Sequence, residues 1–212
     1  GANVGRVIPY EEAADKYAHF IQSKVDGDFH GIRVVADCAN GAASYIAPKL
    51  LRSLGADVVA ISCKPDGINI NDGCGSTHLE QLRKAVVREE ADLGIAYDGD
   101  ADRLLAVDEE GNVVDGDKLL LIFGSYLDKE GLLKENTIVI TVMSNLGLKV
   151  ACKERGIQTL ETAVGDRYVI EGMKESGAVL GGEQSGHIVF GMDNTTGDGI
   201  LSSVKLLQIL KH

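Results

Sequence analysis

The sequence predicts an α/β protein built of two tandem three-layer α/β/α domains with mixed, largely parallel sheets. Three observations lead there. Short β-rich runs alternate with helical stretches along the 212-residue chain, the pattern of strand–helix–strand units. A strand, an Asn-containing turn and a helix recur in that order near Asn40 and again near Asn145, which suggests two related units. No low-complexity linker separates the halves, and the turn-rich residues 110–116 offer the natural division. The expected domains are therefore 1–113 and 114–212.

Each element has its own signal. Ala14, Tyr17, Ile21 and Val25 have helical spacing, which predicts a helix over 10–24. Ile32–Ala36 is a β-rich run, followed by a helical pattern over 42–54 that Gly55 is placed to stop. Asp57–Ile61 reads as a strand and 64–76 as a loop rich in Gly, Asn and Asp. Thr77 and Glu80 have capping-box spacing at the start of a helix reaching about 90. Leu93–Tyr97 and Leu104–Val107 read as strands, with a hairpin turn at 109–112. In the second half, Asp117 is expected to cap a helix through Leu127. Strands follow at 137–142, 157–161, 178–180 and 187–190, and helices at 146–155, 166–176 and 198–210.

Composition narrows the function classes. The net charge is −11 and Trp is absent. An acidic surface without stacking platforms disfavours nucleic acid and anionic membrane as partners. Four scattered cysteines, none in a CxxC pair, fit a reducing cytoplasm. No apolar run reaches transmembrane length. Residues 1–4 carry neither an initiator Met nor a leader pattern, and the expectation is a piece cut from a longer protein.

The strongest chemical signal is Asp98-Gly-Asp100-Ala-Asp102-Arg103 directly after a strand. Two carboxylates about 4 Å apart repel by roughly 4 kcal/mol at an effective dielectric near 20, and a third adds to this. A hard cation relieves that repulsion, and an all-oxygen ligand set favours Mg²⁺ or Ca²⁺. The plain alternative is a solvated acidic turn. An EF-hand is rejected because Arg103 stands where its loop needs Gly and because strands flank the loop. A dehalogenase-type phosphatase with an Asp nucleophile remains a rival. The third Asp followed by Arg, and the lack of a following helix, count against it.

The second signal is Gly181-Gly-Glu183-Gln184-Ser185-Gly186-His187 between two strands. Glu183 and Ser185 suit sugar hydroxyls, glycines let backbone approach a ligand, and the His187 imidazole could shuttle a proton. A tight polar turn is the alternative. Arg167, in Gly165-Asp166-Arg167 at a helix start, is a candidate phosphate contact. Asp115-Gly-Asp117 and Gly197-Asp198-Gly199 read mainly as helix caps.

The two loops together resemble those of the α-D-phosphohexomutase superfamily. The stretches 67–71, 74–78, 164–168 and 195–199 are similar to its glucosamine-phosphate branch. The resemblance covers nearly all of the chain and corresponds to the second and third of four domains. The Ser-His-Asn-Pro-type phosphoserine loop of the first domain and the phosphate-binding loop of the fourth have no counterpart in the sequence. The resemblance implies interconversion of glucosamine 6-phosphate and glucosamine 1-phosphate through a phosphoserine and a bisphosphosugar. It implies Mg²⁺ on Asp98, Asp100 and Asp102, with Arg103 adding charge at the phosphate. Glu183 and Ser185 would hold the sugar, His187 would contact it or handle a proton, and domains 1 and 4 would be partners. A phosphomannomutase/phosphoglucomutase is the alternative within the superfamily.

Overall fold

The structure, a computed structural model, describes residues 5–26 and 28–212. The reading of residues 1–4 as an internal cut lies outside the described residues. The first sheet is built from β1 (Arg33–Asp37), β2 (Asp57–Ile61), β3 (Leu93–Tyr97), β4 (Leu104–Asp108) and β5 (Val113–Val114), in the order β2-β1-β3-β4-β5. The second holds β6 (Thr137–Thr141), β7 (Gln158–Thr162), β8 (Leu180–Gly182) and β9 (Ile188–Phe190), in the order β7-β6-β8-β9. In each sheet the first three strands run parallel and the next is antiparallel. The two sheets therefore share one topology, with β6 to β9 matching β1 to β4. The expected cut after residue 113 falls inside β5.

The helices are α1 (Ala13–Gln22), α2 (Ala43–Ser53), α3 (Glu80–Arg88), α4 (Gly116–Lys129), α5 (Leu146–Glu154), α6 (Asp166–Ser176) and α7 (Gly199–Lys211). One face of the first sheet packs on α3, where Val35, Ala96 and Val107 meet Leu82 and Val86. One face of the second packs on α6, where Val139 and Val189 meet Val169 and Met173. The opposite faces share a single core running from Ile21, Tyr97 and Leu104 through Leu119, Phe123 and Ile138 to Leu201 and Val204. Burying side chains of this size contributes roughly 1.5–3 kcal/mol each. A continuous core of this kind binds the two units to each other.

The last helix does not stay with the sheet that precedes it. α7 follows β9 in the chain, yet it lies on β3 and β4 beside α2. The Tyr97 hydroxyl, fully buried, donates to Ser203 Oγ at 2.7 Å. α4 takes the equivalent place on the second sheet, against β8 and beside α5, and it also touches β4 and β5.

Several local expectations need correction. α1 is shorter than 10–24. The Thr77–Glu80 capping box does not form: Thr77 Oγ1 lies 3.1 Å from His78 Nδ1, and α3 starts without a side-chain cap. Asp115 caps α4, accepting from Lys118 N at 2.9 Å. Asp117, one residue inside the helix and buried, instead accepts from Asn145 N (2.8 Å) and Nδ2 (3.0 Å). The expected strand at 178–180 is shifted to 180–182, because Gly181 and Gly182 carry the ladder to β9.

Asn145 both caps α5, accepting from Leu148 N at 3.0 Å, and satisfies one oxygen of the buried Asp117 carboxylate. Asn145→Ala removes both contacts and is expected to lower the unfolding free energy by about 2–3 kcal/mol, measured by urea titration.

Candidate functional site

The two loops singled out from the sequence occupy equivalent positions. Asp98–Arg103 joins β3 to β4, and Glu183–His187 joins β8 to β9. Their ends meet. Arg103 and His187 form an isolated antiparallel bridge, and Leu104 N donates to Gly186 O at 3.0 Å. The strand pair of one unit is thus stitched to that of the other at the site.

The aspartate loop closes on itself through backbone bonds. Ala101 N donates to Asp98 O at 3.2 Å, and Arg103 N donates to Asp98 Oδ1 at 3.2 Å. Ala101 is left-handed, with φ +64°, a conformation that costs a non-glycine residue and needs outside support. Two helix N-termini supply it. Ala42 N, at the start of α2, donates to Gly99 O at 2.9 Å, and Gly199 N, the first residue of α7, donates to Ala101 O at 2.9 Å. The carbonyls of residues 99 and 101 are tied back in this way. The carboxylates of Asp98, Asp100 and Asp102 are left free to converge, each offering an oxygen within 4.8 Å of the others. Gly99 is held close from the other side, since a Cβ there would lie 2.7 Å from Asn71 Nδ2 and 2.8 Å from Ile70 Cδ1.

Convergence has an electrostatic cost. With oxygens no more than 4.8 Å apart, each carboxylate pair repels by at least about 3 kcal/mol at an effective dielectric near 20. Burial, then the charge of Asp102, pushes the Asp98 carboxyl up to about 6. Arg103 offsets part of this repulsion, its Nε lying 3.9 Å from Asp98 Oδ2 and 3.8 Å from Asp102 Oδ1. Asp102 Oδ1 and Arg103 Nε are buried and lack hydrogen-bond partners. An orphaned carboxylate oxygen among three converging acids fits a hard divalent cation.

The second loop places its candidates differently. His187 is almost fully buried, with Nε2 3.6 Å from Asp102 Oδ2 and with Nδ1 unpartnered. Glu183 Oε1 accepts from Gly165 N at 3.0 Å, which ties the loop to the start of α6. Ser185 Oγ is shielded from solvent and unpartnered. Arg167 is drawn away: it is exposed, and its Nε donates to Glu171 Oε1 at 2.8 Å one helical turn on. The structure thus brings Asp98, Asp100, Asp102, Arg103 and His187 together. Glu183 and Ser185 stand on the adjoining turn, and Arg167 lies apart.

Two Asp-Gly pairs at helix starts play a part that sequence reasoning missed. Asp115-Gly116 begins α4, and Gly116 N donates to Gln184 O at 3.0 Å, seating that helix on the second loop. Asp198-Gly199 begins α7 and seats it on the aspartate loop. A methyl group on Gly116 would run into Glu183 O, and one on Gly199 into Arg103 O. The repeated Asp-Gly was visible as a capping signal, but not the loop each glycine faces.

Comparisons with known proteins agree with this architecture. Residues 15–111 match the family model described as phosphoglucomutase/phosphomannomutase, alpha/beta/alpha domain II, and residues 115–212 match domain III. The chain belongs to the phosphoglucomutase/phosphomannomutase family and holds its second and third α/β/α domains. Among curated relatives, it is 59% identical over 210 residues to the phosphoglucosamine mutase of Carboxydothermus hydrogenoformans. It is 56% identical over 211 residues to that of Acetivibrio thermocellus. These alignments take in 99% and 100% of the chain but 47% of each relative, so the chain spans about half their length. Among solved structures, a phosphoglucomutase/phosphomannomutase family protein from Burkholderia thailandensis superposes with TM-score 0.81 at 28% identity, over 93% of this chain and 43% of that one. A putative phosphomannomutase from Thermus thermophilus gives TM-score 0.83 at 22% identity, over 97% of this chain and 48% of its own, and supports the fold alone.

Two predictions come from this geometry. Gly199→Ala is expected to lower stability by about 1–3 kcal/mol and to speed amide exchange in the aspartate loop. Both are read by denaturant titration and exchange mass spectrometry. The second concerns pH. Asp98 holds its proton in the folded chain up to about 6, whereas an unfolded Asp loses it near about 3.9. Without a cation, its contribution to stability is present below about pH 4 and is lost as the pH rises through about 6. Asp98→Asn should flatten that part of the stability–pH curve.

Proposed function

We propose that this chain supplies the cation-binding and sugar-binding halves of a phosphoglucosamine mutase active site, interconverting glucosamine 6-phosphate and glucosamine 1-phosphate. The observation that carries the reading is the junction of the two loops through Arg103 and His187, in a chain more than half identical to phosphoglucosamine mutases along its whole length. Asp98, Asp100 and Asp102 would hold Mg²⁺. A bound Mg²⁺ withdraws charge from a phosphate and stabilises a phosphoryl group in transfer. Arg103 is a permanent positive charge beside the same position and binds phosphate oxygens. Glu183 and Ser185 grip sugar hydroxyls, a carboxylate accepting and a hydroxyl both donating and accepting. Either end of a hexose presents hydroxyls, so one grip serves both orientations of a reorienting bisphosphate. His187, with one nitrogen unpartnered and the other facing Asp102, is placed to contact the sugar or carry its proton. Arg167 would reach a phosphate only after leaving Glu171.

The phosphoserine and the far phosphate clamp would come from first and fourth domains of the same enzyme, as the resemblance implies. Four free thiols fit a cytoplasmic setting. Among the described residues, no helix is long and apolar enough to cross a membrane.

Calorimetric titration of the chain with Mn²⁺ at about pH 8 is expected to show one site, weakened at least about tenfold by Asp102→Asn and weakened again below about pH 6, where Asp98 takes up its proton. With the cation present, glucosamine 6-phosphate should bind more tightly than mannose 6-phosphate, and Glu183→Gln should reduce its affinity. Tighter binding of mannose 6-phosphate would move the assignment to a phosphomannomutase. Cation-dependent phosphate release by the chain alone, lost in Asp98→Asn, would favour an aspartate-nucleophile phosphatase.

A further inference from the structure

α1 lies far from the aspartate loop in the chain, yet one of its side chains reaches the helix that supports it. Tyr17 donates its hydroxyl to Asp198 Oδ1 at 2.7 Å. The same oxygen of Asp198 caps α7 by accepting from Leu201 N at 2.9 Å, and its other oxygen lies 3.4 Å from Asn194 Nδ2. Asp198 is buried, so a loss of orientation there is not made good by water. Its neighbours on either side are the contacts to the site. Gly197 packs on the His187 ring so closely that a Cβ would overlap Nε2, and Gly199 N donates to the left-handed Ala101. Tyr17, Asp198, Asp100 and Asp102 also line one cavity of about 290 Å³. Burial and the Asp198 charge hold the phenol well above its ordinary range, so it remains a donor.

We infer that Tyr17 is a positioning residue for the aspartate loop, acting through the Asp198 cap and the first turn of α7. The inference deepens, and rests on, the cation role proposed for that loop. The chain of contacts has no slack. The phenol fixes the carboxylate, the carboxylate fixes the α7 start, and the Gly199 amide fixes the Ala101 carbonyl between two of the three acids.

The test uses the 212-residue chain. Tyr17→Phe keeps the ring and removes only the donor. It is expected to weaken Mn²⁺ about tenfold, the scale of one hydrogen bond to a charged group, and to speed exchange of the Gly199 amide without affecting amides of β6. Asp198→Ala, which removes the acceptor of the same bond, should do the same. Equal Mn²⁺ affinity and equal Gly199 exchange in wild type and Tyr17→Phe overturn the inference. Exchange that quickens equally in β6 also overturns it, in favour of a plain stability role. If the wild-type chain binds no Mn²⁺, the cation reading fails, and the exchange at Gly199 alone decides whether the Tyr17 clamp exists.

Discussion

Mutual repulsion among three carboxylates at the tip of β3 is the constraint around which the site is arranged. Left to itself, such a loop would splay its acids toward water. Here the backbone between them is anchored: the carbonyls of Gly99 and Ala101 accept hydrogen bonds from the starts of α2 and α7. Those amides carry the positive end of each helix dipole, so the contacts that fix the loop also temper its charge. Arg103 adds a full positive charge at slightly longer range. What remains uncompensated shows in the raised Asp98 carboxyl and in the orphaned Asp102 oxygen.

The two units are repeats, and they are interlocked. Equivalent hairpin loops face each other, and each is capped by a helix whose first residue is a glycine seated on loop backbone. α4 stands on the second loop and α7 on the first. In both cases an aspartate just before the glycine caps the helix. Because α7 leaves its own sheet to cover β3 and β4, the core is continuous. The first sheet therefore borrows a helix from the second half of the chain, whereas the second is covered by α4, α5 and α6 of its own half.

Much of this was legible in the residues. Alternating periodicity located nearly every strand and helix to within a few positions, because strands buried on both faces and amphipathic helices leave strong local patterns. The acidic loop announced itself through charge density alone. What escaped was relational. Thr77 and Glu80 have capping spacing, but Thr77 turns to His78 instead. Asp117 looked like a cap and is a buried brace for Asn145, since the earlier Asp115 already serves the helix end. Arg167 had the right position at a helix start for a phosphate, yet Glu171 lies one turn away on the same face, which local spacing favours. The partnership of Tyr17 with Asp198 spans 181 positions of sequence, and no short-range pattern carries it.

The bridge between Arg103 and His187 has a mechanical meaning. A single rung of ladder joins two hairpins that belong to different sheets, so backbone as well as the shared core sets the spacing between the aspartate loop and the turn at 183–187.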